Sequence, residues 1–112
     1  MLSFPRMAAL EELERRWRPA LFKALGDATR IKVVARLVSA GHPLSVTEVA
    51  DCCGVHLSGV SRHLALLREA GVVSLRRRGR EALYSIDRHA LASLLRGLAE
   101  AIEGFYARED SR

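Results

Sequence analysis

Between Ser45 and Gly71 the chain is punctuated in a way that few folds accommodate. Ser45-Val-Thr-Glu48 has the spacing of a capping box, in which a serine hydroxyl and a glutamate carboxylate reciprocally satisfy free backbone amides at a helix start. A helix is therefore expected from Val46 to about Cys53, stopped by Gly54. After a break from Gly54 to Leu57, a second helix is expected from Ser58 to Ala70, with Val60, Leu64 and Leu67 facing inward and Gly71 ending it. Two short helices across a glycine-containing turn are a helix-turn-helix pattern, here over 46–70.

After Gly71 the period changes. Val72, Val73 and Leu75 lead to Arg77-Arg78-Gly79, and Ala82-Leu83-Tyr84-Ser85-Ile86 resumes with β-branched and aromatic residues, so a hairpin with a basic tip is expected over 72–86. Asp87 then caps a last helix, 88–106, whose Leu91, Leu94, Leu95, Leu98, Ile102 and Phe105 advance in steps of three and four. Near the start, Pro5 suits a first helical turn, and Met7, Leu10, Leu13 and Trp17 form one stripe, giving a helix over 5–20 that Arg18-Pro19 interrupts. Leu21, Phe22 and Leu25 make a short turn ending at Gly26. Asp27 caps a third helix whose inward residues are read as Ile31, Val34, Ala35 and Val38. The expected class is mainly α with a small β-hairpin, and 112 residues form one domain with no room for two independent cores. Leucines left uncovered on so small a domain call for a second copy of the chain.

Charge selects the partner. The chain has 18 basic and 13 acidic residues, net +5, and 16 of the bases are arginine. From Ser58 to Arg80 there are six arginines, Arg62, Arg68, Arg76, Arg77, Arg78 and Arg80, against the single acid Glu69. Guanidiniums at a hairpin tip cannot be buried unpaired, so they belong on phosphates or in a minor groove. A helix entering a major groove presents short or polar residues at its first turns, and Ser58, Gly59, Ser61, Arg62 and His63 meet that demand. Arg62 suits two guanine acceptors, whereas Ser58 and Ser61 suit phosphate. The partner expected is double-stranded operator DNA. Catalysis is not expected, because there is no phosphate-cradling glycine loop and no paired buried acid. No run of 18 apolar residues exists and Met1 to Leu10 lacks the features of a leader, so the expectation is a cytoplasmic protein with no membrane partner.

The run Leu25-Gly-Asp-Ala-Thr-Arg30, then Ser61-Arg-His-Leu-Ala-Leu-Leu-Arg-Glu-Ala-Gly71, then Arg78-Gly-Arg80 leading to Tyr84-Ser-Ile-Asp87, resembles the ArsR/SmtB family of bacterial winged helix-turn-helix repressors over about Leu21 to Phe105. The resemblance implies a homodimer joined through its N- and C-terminal helices, 5–20 and 88–106. Leu10, Leu13, Trp17, Leu91, Leu94, Leu95, Leu98, Ile102 and Phe105 would then lie in the interface. It also implies a repressor that holds an inverted-repeat operator until an inducer loosens it.

Two inducer sites are open. Cys52 and Cys53 close the first helix of the motif, where some members of the family hold trivalent arsenic or soft metals. Thiolates suit As(III), Hg(II) or another soft ion, with His56 or Asp51 as further ligands. Adjacent helix residues diverge by about 100°, so two sulfurs on one ion require the helix end to open. Cys53 also continues the stripe of Val46, Val49 and Ala50 and reads equally as a small core residue, and a thiol that responds to oxidation is a further alternative. The family's arsenic motif has one residue between its first two cysteines, a spacing this chain lacks. The second site is the interfacial zinc site that the resemblance implies on the last helix, whose spacing Asp87, His89, Glu100 and Glu103 reproduce. Glutamate at 100, where zinc and nickel sensors carry histidine, lowers affinity for borderline ions, and the same residues read as a helix cap and solvated carboxylates. No cofactor is obligatory on this reading.

Overall fold

The computed structural model describes the backbone of residues 4–54 and 56–110, and the side chains of 7–51, 54 and 56–104. Its elements run α1 (Phe4–Arg16), α2 (Pro19–Leu25), α3 (Ala28–Ala40), β1 (Leu44–Ser45), α4 (Val46–Cys53), α5 (Leu57–Glu69), β2 (Ser74–Arg78), β3 (Glu81–Ser85) and α6 (Arg88–Asp110). Residues 20–88 form one compact unit, and α1 with α6 from His89 onward belongs to a second. Among the described residues no helix is long and apolar enough to cross a membrane.

Short-range chemistry sets the helix limits of the first unit. Asp27 caps α3, its Oδ2 accepting the Arg30 backbone N–H at 3.0 Å. At α4 both halves of the capping box form: Ser45 Oγ accepts from Glu48 N–H at 3.2 Å, and Glu48 Oε1 accepts from Ser45 N–H at 2.9 Å. Gly54, at φ 62°, ends α4 in the left-handed region that a side chain would strain. The end of α5 is closed by Gly71 N–H on Arg68 O and Val72 N–H on Leu67 O, both 2.9 Å. That turn brings Val72 and Val73 into the core before the sheet begins.

The core of this unit is Leu21, Val33, Leu37, Leu44, Val49, Val60, Leu64 and Leu67 with Val72 and Val73. Here α3 departs from the expected stripe: Val33, Val34 and Leu37 are buried, whereas Ile31 and Ala35 are exposed and Val38 is half-buried. Apolar residues stand at eight positions of this helix, three of them alanine, so three- and four-residue steps fit two phases, and packing selects the one that contains Val33 and Leu37. The three-stranded antiparallel sheet has the order β1-β3-β2. Its hairpin pairs Ser74 with Ser85 through Arg78 with Glu81, inside the expected 72–86. β1 was not expected; it pairs Leu44 with Tyr84 and Ser45 with Leu83.

In the second unit α1 stops at Arg16, short of the expected 5–20, and Pro19 opens α2. Arg18 takes φ 45° just before that proline, a residue whose ring disfavours helix at the position ahead of it. α6 runs past the expected 106 to Asp110. Leu98 is 5% exposed, Leu10, Leu13, Leu91 and Leu94 are half-buried, and Trp17, Leu95 and Ile102 are 40%, 44% and 47% exposed. The Phe105 side chain lies outside the described residues.

Candidate nucleic-acid interface

Burial of Val60, Leu64 and Leu67 turns the opposite face of α5 to solvent, and Ser58, Ser61, Arg62, Ala65 and Arg68 occupy it. The first turns of this face carry the hydroxyls of Ser58 and Ser61, half-buried Gly59 and the Arg62 guanidinium, with Leu57, 47% exposed, at the helix start. α5 starts one residue before the expected Ser58, because His56 caps it. Its Nδ1 accepts the Ser58 backbone N–H at 3.3 Å and lies 2.9 Å from Ser58 Oγ. Histidine is outside the usual set of N-caps, which is why the sequence did not point to this one.

His63 stands apart from that row. It is half-buried, and its Nδ1 lies 3.4 Å from Nη1 of Arg30 on α3, at the long end of hydrogen bonding. Arg30 also donates from Nε to the Ala24 carbonyl at 2.6 Å. His63 thus stands beside Arg30 of α3 and is less exposed than Ser58, Ser61 and Arg62. Arg30 was visible in the sequence only as part of a family-like run, and its link to His63 spans 33 positions. The same cap holds the Asp27 carboxyl below its ordinary range, chiefly through the Arg30 backbone N–H and then the charges of Arg30 and His63.

The hairpin carries the second cluster. Arg76, Arg77, Arg78 and Arg80 are all exposed, and none forms an ion pair or side-chain hydrogen bond with a described residue, although Glu81 faces Arg78 across the turn. Arg15 and Arg16, by contrast, are held by Glu12 at 2.7 and 3.2 Å. The two-residue turn is Gly79-Arg80, with Gly79 at φ 63°, the conformation that a type II′ hairpin requires at its first central position. β1 ties β3 to the entrance of α4 through Ser45, which is at once strand residue and helix cap. One short strand thus fastens the basic hairpin to the helix-turn-helix.

Cys52 and Cys53 lie at the end of α4, but their side chains are outside the described residues. Of their suggested co-ligands Asp51 is exposed, and His56 is the exposed cap of α5. Asp87, His89, Glu100 and Glu103 are exposed. His89 and Glu100 are about 16 Å apart along the helix axis, so one chain cannot close that site alone. Among the described residues no three His, Cys, Asp or Glu side chains gather to hold a metal ion.

A helix-turn-helix domain family matches residues 25–76. The helix-turn-helix transcriptional regulator YceK of Bacillus subtilis is 32% identical over 85 residues, 76% of this chain and 85% of that protein. The arsenical resistance operon repressor of Escherichia coli is 36% identical over 81 residues, 72% of this chain and 68% of the repressor. Several other curated relatives are longer, and the chain spans about half to two-thirds of them. Among solved structures, a homodimeric winged helix-turn-helix domain from Mycobacterium bovis, described as a possible ArsR-family regulator, is similar with a TM-score of 0.60. It shares 26% identity, covering 99% of this chain and 95% of that one.

Proposed function

Since this chain belongs to the ArsR/SmtB family of helix-turn-helix transcriptional regulators, we propose that it is a homodimeric repressor that seats α5 in the major groove of an inverted-repeat operator. The observation that carries this reading is the pairing of two exposed features on one unit: a helix face of hydroxyls and Arg62, and a hairpin whose arginines have no described protein partner. Arg62 reads guanine edges, Ser58 and Ser61 meet phosphate, and Arg76, Arg77, Arg78 and Arg80 neutralise the backbone beside the groove. Arg68, farther along the exposed face, adds to the same field. The homodimeric Mycobacterium bovis neighbour and the exposed Trp17, Leu95 and Ile102 support joining two copies through α1 and α6. Two half-sites then fall about one helical turn apart, or a multiple of it.

The inducer on this reading is a thiophilic ion of the As(III) or Hg(II) class bound at Cys52 and Cys53. Its position at the end of α4, immediately before the turn into α5, supports it: an ion drawing in both thiolates opens the helix end and moves α5. Naming of the Escherichia coli relative for arsenical resistance agrees. Fluorescence anisotropy of duplex from the chain's own upstream region, against random duplex, tests the DNA half. Selective binding that falls by about 10³–10⁵ between 50 and 200 mM salt is expected; equal affinity for both duplexes contradicts the reading. For the inducer half, Cys52→Ser with Cys53→Ser should abolish release by As(III) and Hg(II). Release unchanged in that variant leaves a regulator without this metal site, and loss of release by peroxide alone makes the thiols redox sensors.

A further inference from the structure

We propose that the cleft between α2, the start of α3 and the C-terminal end of α5 is an effector site for a small organic carboxylate. Its volume is about 260 Å³, just under the range of about 300–1,000 Å³ typical of ligand pockets. Alanines open it: Ala20, Ala24 and Ala70 line the cleft, whereas the core positions Leu21, Leu64 and Leu67 on the same helices fill their space. Leu66 supplies an apolar wall that is 38% exposed, surface that a compact hydrophobic body would cover.

The polar lining sets the sign of the ligand. Lys23 and Arg30 stand against one acid, Glu69, and no ion pair joins Glu69 to either. Arg30 commits Nε to the Ala24 carbonyl and Nη1 to His63, which leaves Nη2 without a hydrogen-bond partner among the described residues. A carboxylate takes such a donor in a charge-assisted bond, with the Lys23 ammonium beside it. An aromatic or branched aliphatic acid of benzoate size combines the two halves.

Leu66 and Glu69 lie about 12–16 Å along α5 from Ser58, so an occupant leaves the exposed first turns clear. It bears instead on the other end of the same helix and on Arg30, the residue beside His63. This regulatory half rests on the reading of α5 as the DNA-recognition helix; the binding half does not.

Titration of the full chain with sodium benzoate, followed by backbone amide NMR and calorimetry, tests the site, with benzamide as neutral isostere. Saturable binding with shifts centred on Lys23, Arg30, Leu66 and Glu69 is expected, and about tenfold weaker binding of benzamide. Lys23→Glu should weaken benzoate about as much. Ala20→Phe, at an exposed position, should abolish binding by filling the cleft, while both variants keep wild-type melting. No saturable binding of benzoate or isovalerate, benzamide binding as well as benzoate, or shifts centred elsewhere overturns the site. In parallel, benzoate should change affinity for the upstream duplex about fivefold or more, and not in Ala20→Phe. Binding that leaves DNA affinity unchanged overturns the regulatory half, whereas a ligand-free chain with no duplex affinity counts against the DNA reading and leaves the cleft standing.

Discussion

Arg62 and Arg78 are both exposed guanidiniums without a described protein partner, yet their supports differ. Arg62 rises from the second turn of a helix packed through Val60 and Leu64, and Arg78 sits at the rim of a two-residue turn. A rigid support suits bidentate recognition of a base, and a hairpin tip suits contact with any phosphate within reach. Arg62→Ala should therefore relax choice at one or two base positions by about 1–3 kcal/mol. Arg78→Ala should weaken all sequences alike and lower the salt slope by about one. Anisotropy on operator variants at several salt concentrations checks both, and equal behaviour of the two variants contradicts the division of labour. Two helix-capping carboxylates couple the fold to pH, beside Glu12, which hydrogen bonds from Arg15 and Arg16 also hold low. Asp27 is held low by the Arg30 backbone N–H, and Glu48 by the Ser45 backbone N–H and then its hydroxyl. Both bind protons less readily folded than unfolded, so their contribution is complete above the ordinary carboxylate range, about pH 4–5, and is lost as pH falls toward the folded values. Asp27→Asn with Glu48→Gln keeps both caps, since asparagine and glutamine still accept, and should flatten the acid limb of stability measured by urea unfolding from neutral pH down to about pH 3.

Elements here are joined by residues with two duties. Ser45 ends β1, pairs with Leu83 of the hairpin and caps α4, so its loss acts on sheet and helix together. Ser45→Ala should cost about 1 kcal/mol, or about 4–8 °C in melting temperature, and Ser45→Asp should recover most of it by capping again. A larger loss is expected at Leu64, which is fully buried: Leu64→Ala should cost about 2–5 kcal/mol by leaving a cavity behind α5. The hairpin is separable from this. Gly79 holds φ 63° at the turn, a conformation hostile to β-branched side chains. Gly79→Val should distort the tip and weaken operator binding while helix content by circular dichroism stays unchanged. Unaltered DNA affinity in that variant would show the arginines to act independently of the turn that presents them.

For the whole molecule the open quantity is assembly. Trp17, Leu95 and Ile102 leave apolar surface in the unit that contains α1 and α6, and a second copy is the cover we infer. Ile102→Glu with Trp17→Glu should shift sedimentation from dimer to monomer and reduce operator affinity far more than half-site affinity, because one molecule then binds one half-site. A wild-type monomer in sedimentation would remove the two-fold premise. Caps and glycine stops act between residues three or four apart, so the sequence by itself determined the limits of α4, the end of the helix-turn-helix at Gly71, the hairpin and the basic segment, but not the His56 cap that starts α5. The exposure of Ser58, Ser61 and Arg62 followed from one buried stripe, and it too was legible. Contacts between distant positions were decided only in three dimensions. They include the phase of α3, where eight apolar positions allowed two stripes, and β1, two residues that become a strand only because Tyr84 and Leu83 lie beside them. The turn of His63 toward Arg30 and the alanine-lined cleft behind α5 belong with these. Periodicity reports which face is apolar, but which neighbour meets that face depends on how the whole chain closes.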